Sequence, residues 1–127
     1  MWVGGSHAIH EYSVADCSHR RLVGVGPLQF FCPLQVWIAS DDFVFVADMS
    51  NDRVQVPTPC LDFQGFRVVG VGQLDGPAGV CANADVVVVS QYLAHRISVF
   101  GRSDSAFLRR FGGYGSTIFP EWCVQYV

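Results

Sequence analysis

The sequence predicts an all-β protein made of repeated antiparallel four-stranded units. Two observations carry that prediction. Its apolar runs are short, rich in β-branched and aromatic residues and bounded by polar turns, with no amphipathic helix of useful length. The same landmarks also return at a nearly constant interval, 44 residues from Pro33 to Pro77, 43 from Pro77 to Pro120 and 43 from Arg53 to Arg96.

The clearest unit is residues 44–56. Residues 43–47 read as a strand, and a second strand begins at Val54. Asp48, Ser50, Asn51 and Asp52 make the turn between them, because short polar side chains bond nearby backbone and tolerate unusual dihedrals. Asp48 is expected to cap the amides of this turn, a role worth about 1 kcal/mol, and to meet the guanidinium of Arg53.

The unit recurs. Val14-Ala15-Asp16-Cys17-Ser18-His19-Arg20-Arg21 matches residues 46–53, and residues 89–96, ending in Arg96, match them more loosely. Arg21-Leu22-Val23-Gly24-Val25-Gly26 is echoed by Arg67-Val68-Val69-Gly70-Val71-Gly72. A glycine pair that returns with the repeat reads as a tight turn between units, not as a phosphate cradle. A period of about 40 to 50 residues with several short strands is the signature of propeller blades.

At these positions the chain resembles the NHL repeat. The glycine element, the proline, Val-Ala-Asp, Asn51-Asp52-Arg53, and Phe107-Leu108-Arg109-Arg110-Phe111-Gly112 stand in that family's order, and the resemblance covers about residues 11–124. It departs where Gln91 and Ala94 replace the turn's Asp and Asn, and where Pro57 follows Val56. The resemblance implies antiparallel four-stranded blades of an NHL-like β-propeller, incomplete at about 2.5 to 3 blades. The expected units are a weakly ordered lead-in over 1–10, blades over about 11–31, 32–72 and 73–115, and the start of another over 116–127. Within the first, residues 11–16 read as a strand with Tyr12 and Val14 on one face. The Val-Ala-Asp elements lie 32 residues apart and the glycine elements 46, so the first blade is 14 residues short, about one strand and one turn.

Composition bounds the function. The 127 residues carry a net charge of −3, so no broad basic footprint points at nucleic acid. All eight basic residues are arginine. Half the residues are hydrophobic, 20 of them valine, which suits buried sheet and opposes disorder. The cysteines (17, 32, 60, 81 and 123) are odd in number and share no repeat position, so they read as reduced thiols packed as small hydrophobes. Neither a signal peptide nor an apolar run long enough to span a bilayer is found, so an intracellular, cytoplasmic protein without a membrane role is expected.

Chemistry is weighed against simpler roles. Asp16, Arg21, Asp48, Asn51, Arg53 and Arg96 are expected to stitch their own turns. Some NHL-like propellers are lyases with a histidine-bound zinc, but His7, His10, His19 and His95 do not fall on expected inner strands. No catalytic, metal or cofactor site is therefore assigned. Arg109 and Arg110, beside Phe107 and Phe111, are weak nucleic-acid candidates. The expectation is a non-catalytic interaction scaffold with a protein partner, capable of head-to-tail homo-oligomerisation. The alternatives are a degenerate or truncated repeat copy without independent function, and a propeller lyase or hydrolase.

Overall fold

The computed structural model describes residues 2–5, 7–23, 30–57 and 67–113. Its strands are β1 (Trp2–Gly5), β2 (Ala8–Tyr12), β3 (His19–Val23), β4 (Pro33–Ile38), β5 (Val44–Asp48), β6 (Arg53–Val56), β7 (Arg67–Val69), β8 (Pro77–Ala82), β9 (Val86–Gln91), β10 (Arg96–Gly101) and β11 (Phe107–Gly112). Among the described residues the only helical element is one 3-10 turn, Met49–Asn51. The protein is all-β.

The strands form three antiparallel sheets in chain order, β1-β2-β3, β4-β5-β6-β7 and β8-β9-β10-β11. Each sheet is a meander, because each strand pairs with its predecessor in the chain. Pro33 and Pro77 open β4 and β8, the edge strands of their sheets, where a residue without an N–H costs the ladder least.

Side chains alternate across each strand, so the middle sheet buries both faces. Phe45, Ala47, Val54 and Val56 pack with Val80, Val87, Val89 and Phe100 of the third sheet, with Leu74 at the seam. Val44 and Val46, on the other face, pack with Ile9 of the first sheet and with Phe30. Polar ties cross the second seam. Nη2 of Arg102 donates to both carboxylate oxygens of Asp41 and Nη1 to the Asn83 carbonyl, while the guanidinium lies 5.5 and 5.4 Å from the Phe43 and Phe45 ring centroids. Trp37 Nε1 donates to the Ala82 carbonyl at 3.3 Å, and the Val80 amide donates to Gln35 Oε1 at 2.6 Å.

The first sheet differs from expectation. Residues 1–10, expected to be a lead-in, hold β1 and most of β2, and Ile9 is fully buried. The strand expected over 11–16 lies upstream instead. Ser13 to Ser18 form a turn closed by Ser13 N to Ser18 O (2.9 Å), and Val14 is 82% exposed. Hydrophobic burial explains the shift, since only the upstream register places Ile9 against Val44 and Val46. Among the described residues this sheet has three strands and its neighbours four each.

Gly70 illustrates why glycine recurs. Its φ is +80°, its carbonyl accepts from the Gln73 and Leu74 amides, and a Cβ would run into the Leu74 side chain. The glycine element 24–26 and the unit expected to start over 116–127 lie outside the described residues.

Candidate functional site

The most developed polar site is at the end of β5. The Asp48 carboxylate is fully buried, and a lone buried carboxylate would be costly. It is met by four donors, about as many as its lone pairs accept. Oδ1 accepts from the Phe31 amide at 2.7 Å. Oδ2 accepts from Asn51 Nδ2 (2.9 Å), Arg53 Nε (3.0 Å) and Gln55 Nε2 (2.9 Å). Asp48 makes no side-chain cap bond to the 3-10 turn that follows, so the expected capping role is replaced by a larger one. It ties its own turn, the neighbouring strand β6 and the segment that leads into β4.

The third sheet repeats this construction 43 residues later. Gln91 ends β9 and is fully buried. Its Oε1 accepts from the Asp75 amide (2.9 Å) and Arg96 Nε (3.2 Å), and its Nε2 donates to Ser98 Oγ (2.6 Å). Gln91, Arg96 and Ser98 thus stand where Asp48, Arg53 and Gln55 do, and Asp75 stands where Phe31 does. Burial holds the Arg96 guanidinium below its usual range, and the like charge of Arg110 adds to the effect.

The sequence match to Asp16 does not extend to structure. Asp16 sits in the exposed turn after β2, where Oδ1 accepts from Ser18 Oγ (2.7 Å) and from the Ser18 amide (3.0 Å). Those bonds lower its pKa from the ordinary 3.8. Arg21 lies in β3 with its backbone paired to Glu11.

The end of the molecule bearing these turns also collects exposed apolar side chains. Phe31 (51% exposed) stacks on His7, with ring centroids 4.4 Å apart and planes 3° apart, and the Cys32 amide donates to His7 Nδ1 at 3.0 Å. The Phe31 carbonyl accepts from the Ser50 amide, and Asp52 Oδ1 accepts from the Gly76 amide at 2.8 Å. Leu93 lies over Gly76, and the Tyr92 amide donates to the Gly76 carbonyl. Val71 (70%), Tyr92 (46%) and Leu93 (55%) stand exposed on these loops. Contacts therefore run without a break from His7 to Leu93, across all three sheets.

The other candidates disperse. Arg109 and Arg110 are neighbours in β11 and project to opposite sides of the sheet. Arg110 is engaged by Ser98 Oγ, the Gln73 carbonyl and the Phe107 ring, so the pair forms no joint cationic site. His10 Nδ1 and His19 Nε2 are 3.2 Å apart on β2 and β3, with the Tyr12 ring edge-on to His19. Among the described residues no group of three or more His, Cys, Asp or Glu is placed to hold a metal ion. Burial pushes the Cys81 thiol up, away from the reactive thiolate. No described helix is long and apolar enough to cross a membrane.

Sequence reasoning identified Asp48, Asn51, Arg53 and Arg96 but missed Gln55, Gln91, Ser98 and the Phe31 amide. The 43-residue interval from Gln55 to Ser98 was the available signal; two inward-facing polar residues at one repeat position call for a buried partner. No protein-family model matches the chain, and no curated protein matches it significantly.

Proposed function

We propose that the chain is a non-catalytic interaction scaffold of NHL-propeller type, an incomplete ring of about three blades, which takes a protein partner on the end bearing the β5–β6 and β9–β10 turns. One observation carries this reading. At that end the Asp48 and Gln91 hubs bind most of the buried polar groups, while Phe31, Val71, Tyr92 and Leu93 face solvent among the polar Ser50, Asp52, Gln73 and Asp75. Exposed Phe31, Val71, Tyr92 and Leu93 on loops held by a rigid sheet frame suit a protein surface, where aromatic anchors contribute most of the binding energy.

The test is a comparison of the unsubstituted chain with Val71→Glu/Leu93→Glu. Both positions are exposed, so the double variant is expected to keep its β-type circular dichroism and melting temperature. Proteins captured by in-cell crosslinking to the unsubstituted chain are expected to be lost from the variant. Capture that is unchanged by the substitutions would remove this end as the binding surface.

A further inference from the structure

The first sheet carries a histidine pair that neither hub uses. Successive side chains of β2 alternate, so Ile9 points at the middle sheet, and His10 and Tyr12 point to the opposite side. Across the ladder His10 stands opposite Leu22, and Tyr12 opposite His19. Leu22 and His19 are three residues apart, and regular alternation would send them to opposite faces. A register shift between Glu11 and Tyr12 takes up the extra residue and brings His19 round to the His10 side. On that side His10 and Tyr12 are half-buried, while His19 and Leu22 are exposed.

The two imidazoles converge on one point. His10 Nδ1 and His19 Nε2 are 3.2 Å apart, with ring centroids 5.3 Å apart and planes at 58°. The Tyr12 ring packs edge-on against His19 at 5.3 Å and lies 6.3 Å from His10, so one aromatic side chain braces both rings. A single hydrogen between the two nitrogens accounts for their separation. A metal ion accounts for it equally well: two nitrogens each about 2.0–2.1 Å from one zinc stand about 3.3 Å apart at the tetrahedral angle.

We propose that His10 and His19 together bind one zinc-like divalent cation, through Nδ1 of His10 and Nε2 of His19. Among the described residues no third His, Cys, Asp or Glu joins them. An all-imidazole donor pair suits zinc, copper or nickel, and not magnesium or calcium, which take oxygen ligands. With fewer protein ligands than a closed structural zinc site, water fills the remaining positions and the ion exchanges readily.

The proton balance is simple. A neutral imidazole holds one hydrogen, on either of its nitrogens. The ring whose N–H fills the gap gives that proton to solvent and takes one up on its other nitrogen, so two neutral rings bind the ion with no net proton release. The bound ion links β2 to β3 beside the shifted register, where the ladder is weakest. Neither the Asp48 nor the Gln91 hub contributes a group, so the site is independent of the partner-binding reading above.

The test is a zinc titration of the full chain carrying Cys17→Ser, which removes the exposed thiol of the β2–β3 turn. With imidazole nitrogens labelled, one equivalent of zinc is expected to move the resonances of His10 Nδ1 and His19 Nε2 into the metal-bound range, and magnesium at the same concentration to move neither. His10→Ala and His19→Ala are each expected to weaken zinc binding by about tenfold or more, the least that loss of a metal-orienting partner costs. Zinc is expected to raise the melting temperature of the parent chain and not of either variant. A shift confined to one of the two histidines, shifts at His7 or His95 in their place, or zinc affinity unchanged by His19→Ala would each overturn the proposal. The resonance test needs no histidine variant to fold. Val71→Glu/Leu93→Glu is expected to bind zinc as the parent does, so failure of the metal site and failure of the partner-binding reading are seen separately.

Discussion

Asp48 and Gln91 stand at the same place in successive sheets and satisfy the same demand with different chemistry. Each ends the second strand of a four-stranded sheet, and each accepts a backbone amide from the segment that enters that sheet. Each also holds an arginine five residues on. The middle sheet uses a buried ion pair with four donors, the third an amide that both gives and takes. What the architecture requires is therefore an acceptor aimed at the incoming segment, and a charge is optional. The charge raises the stakes, since a buried carboxylate is tolerable only while its partners remain.

That difference orders the mutational effects. Asp48→Ala removes the acceptor from Phe31, Asn51, Arg53 and Gln55 at once and strands a partly buried guanidinium. Breaking a buried pair on one side costs about 3–5 kcal/mol, well above the 1 kcal/mol of a cap. Urea unfolding checks this, and a loss near the capping value would show that the four-donor site does not persist in solution.

Gln91→Ala is expected to cost less, about 1–3 kcal/mol, because Gln91 is uncharged and makes three hydrogen bonds where Asp48 makes four. Gln91→Glu sharpens the contrast. The new carboxylate meets Arg96, and the Ser98 hydroxyl can rotate to donate, so the cost should stay within about 1 kcal/mol. A loss as large as that of the alanine variant would show that the third sheet requires a donor at this position.

The sheets and their order were legible because strand signals are local. β-branched runs, turn residues and prolines at 33 and 77 place β4 to β11 without reference to anything distant. The ion pair between Asp48 and Arg53 was legible for the same reason, since five residues separate them. The first sheet was not, because its register is set by Ile9 packing against Val44 and Val46, a contact no local pattern announces. The hub was only half legible for the same cause: its Phe31 donor is a backbone amide 17 residues upstream, and main-chain donors carry no residue signature.

Asn51 offers a finer comparison, because the third sheet has Ala94 at that place. Asn51→Ala makes the first turn resemble the second and removes one neutral donor from a carboxylate that keeps three others. A loss of about 0.5–1 kcal/mol is expected, with the Arg53 contact retained. Thermal melts of Asn51→Ala, Asp48→Ala and the double variant test this. Additive losses would show that Asn51 does not act through Asp48.

The smallest effect is expected at Asp16, where the Val-Ala-Asp motif is kept and the structure is not. Asp16 is exposed, and its hydrogen bonds lie within its own turn, to Ser18 and to the Ser13 side chain. Those bonds lower its folded pKa beneath the ordinary 3.8, so the folded chain binds the proton less tightly than the unfolded one. Its contribution is fully present above the ordinary value and is lost as pH falls through the lowered one. Asp16→Asn is therefore expected to leave the pH 7 melting temperature unchanged within error and to make the decline in stability below about pH 4 slightly shallower, since one fewer carboxylate must be protonated in acid. A pH 7 loss approaching that of Asp48→Ala would mean that the motif builds a buried hub in the first sheet as well, and that the register of β2 differs from the one described.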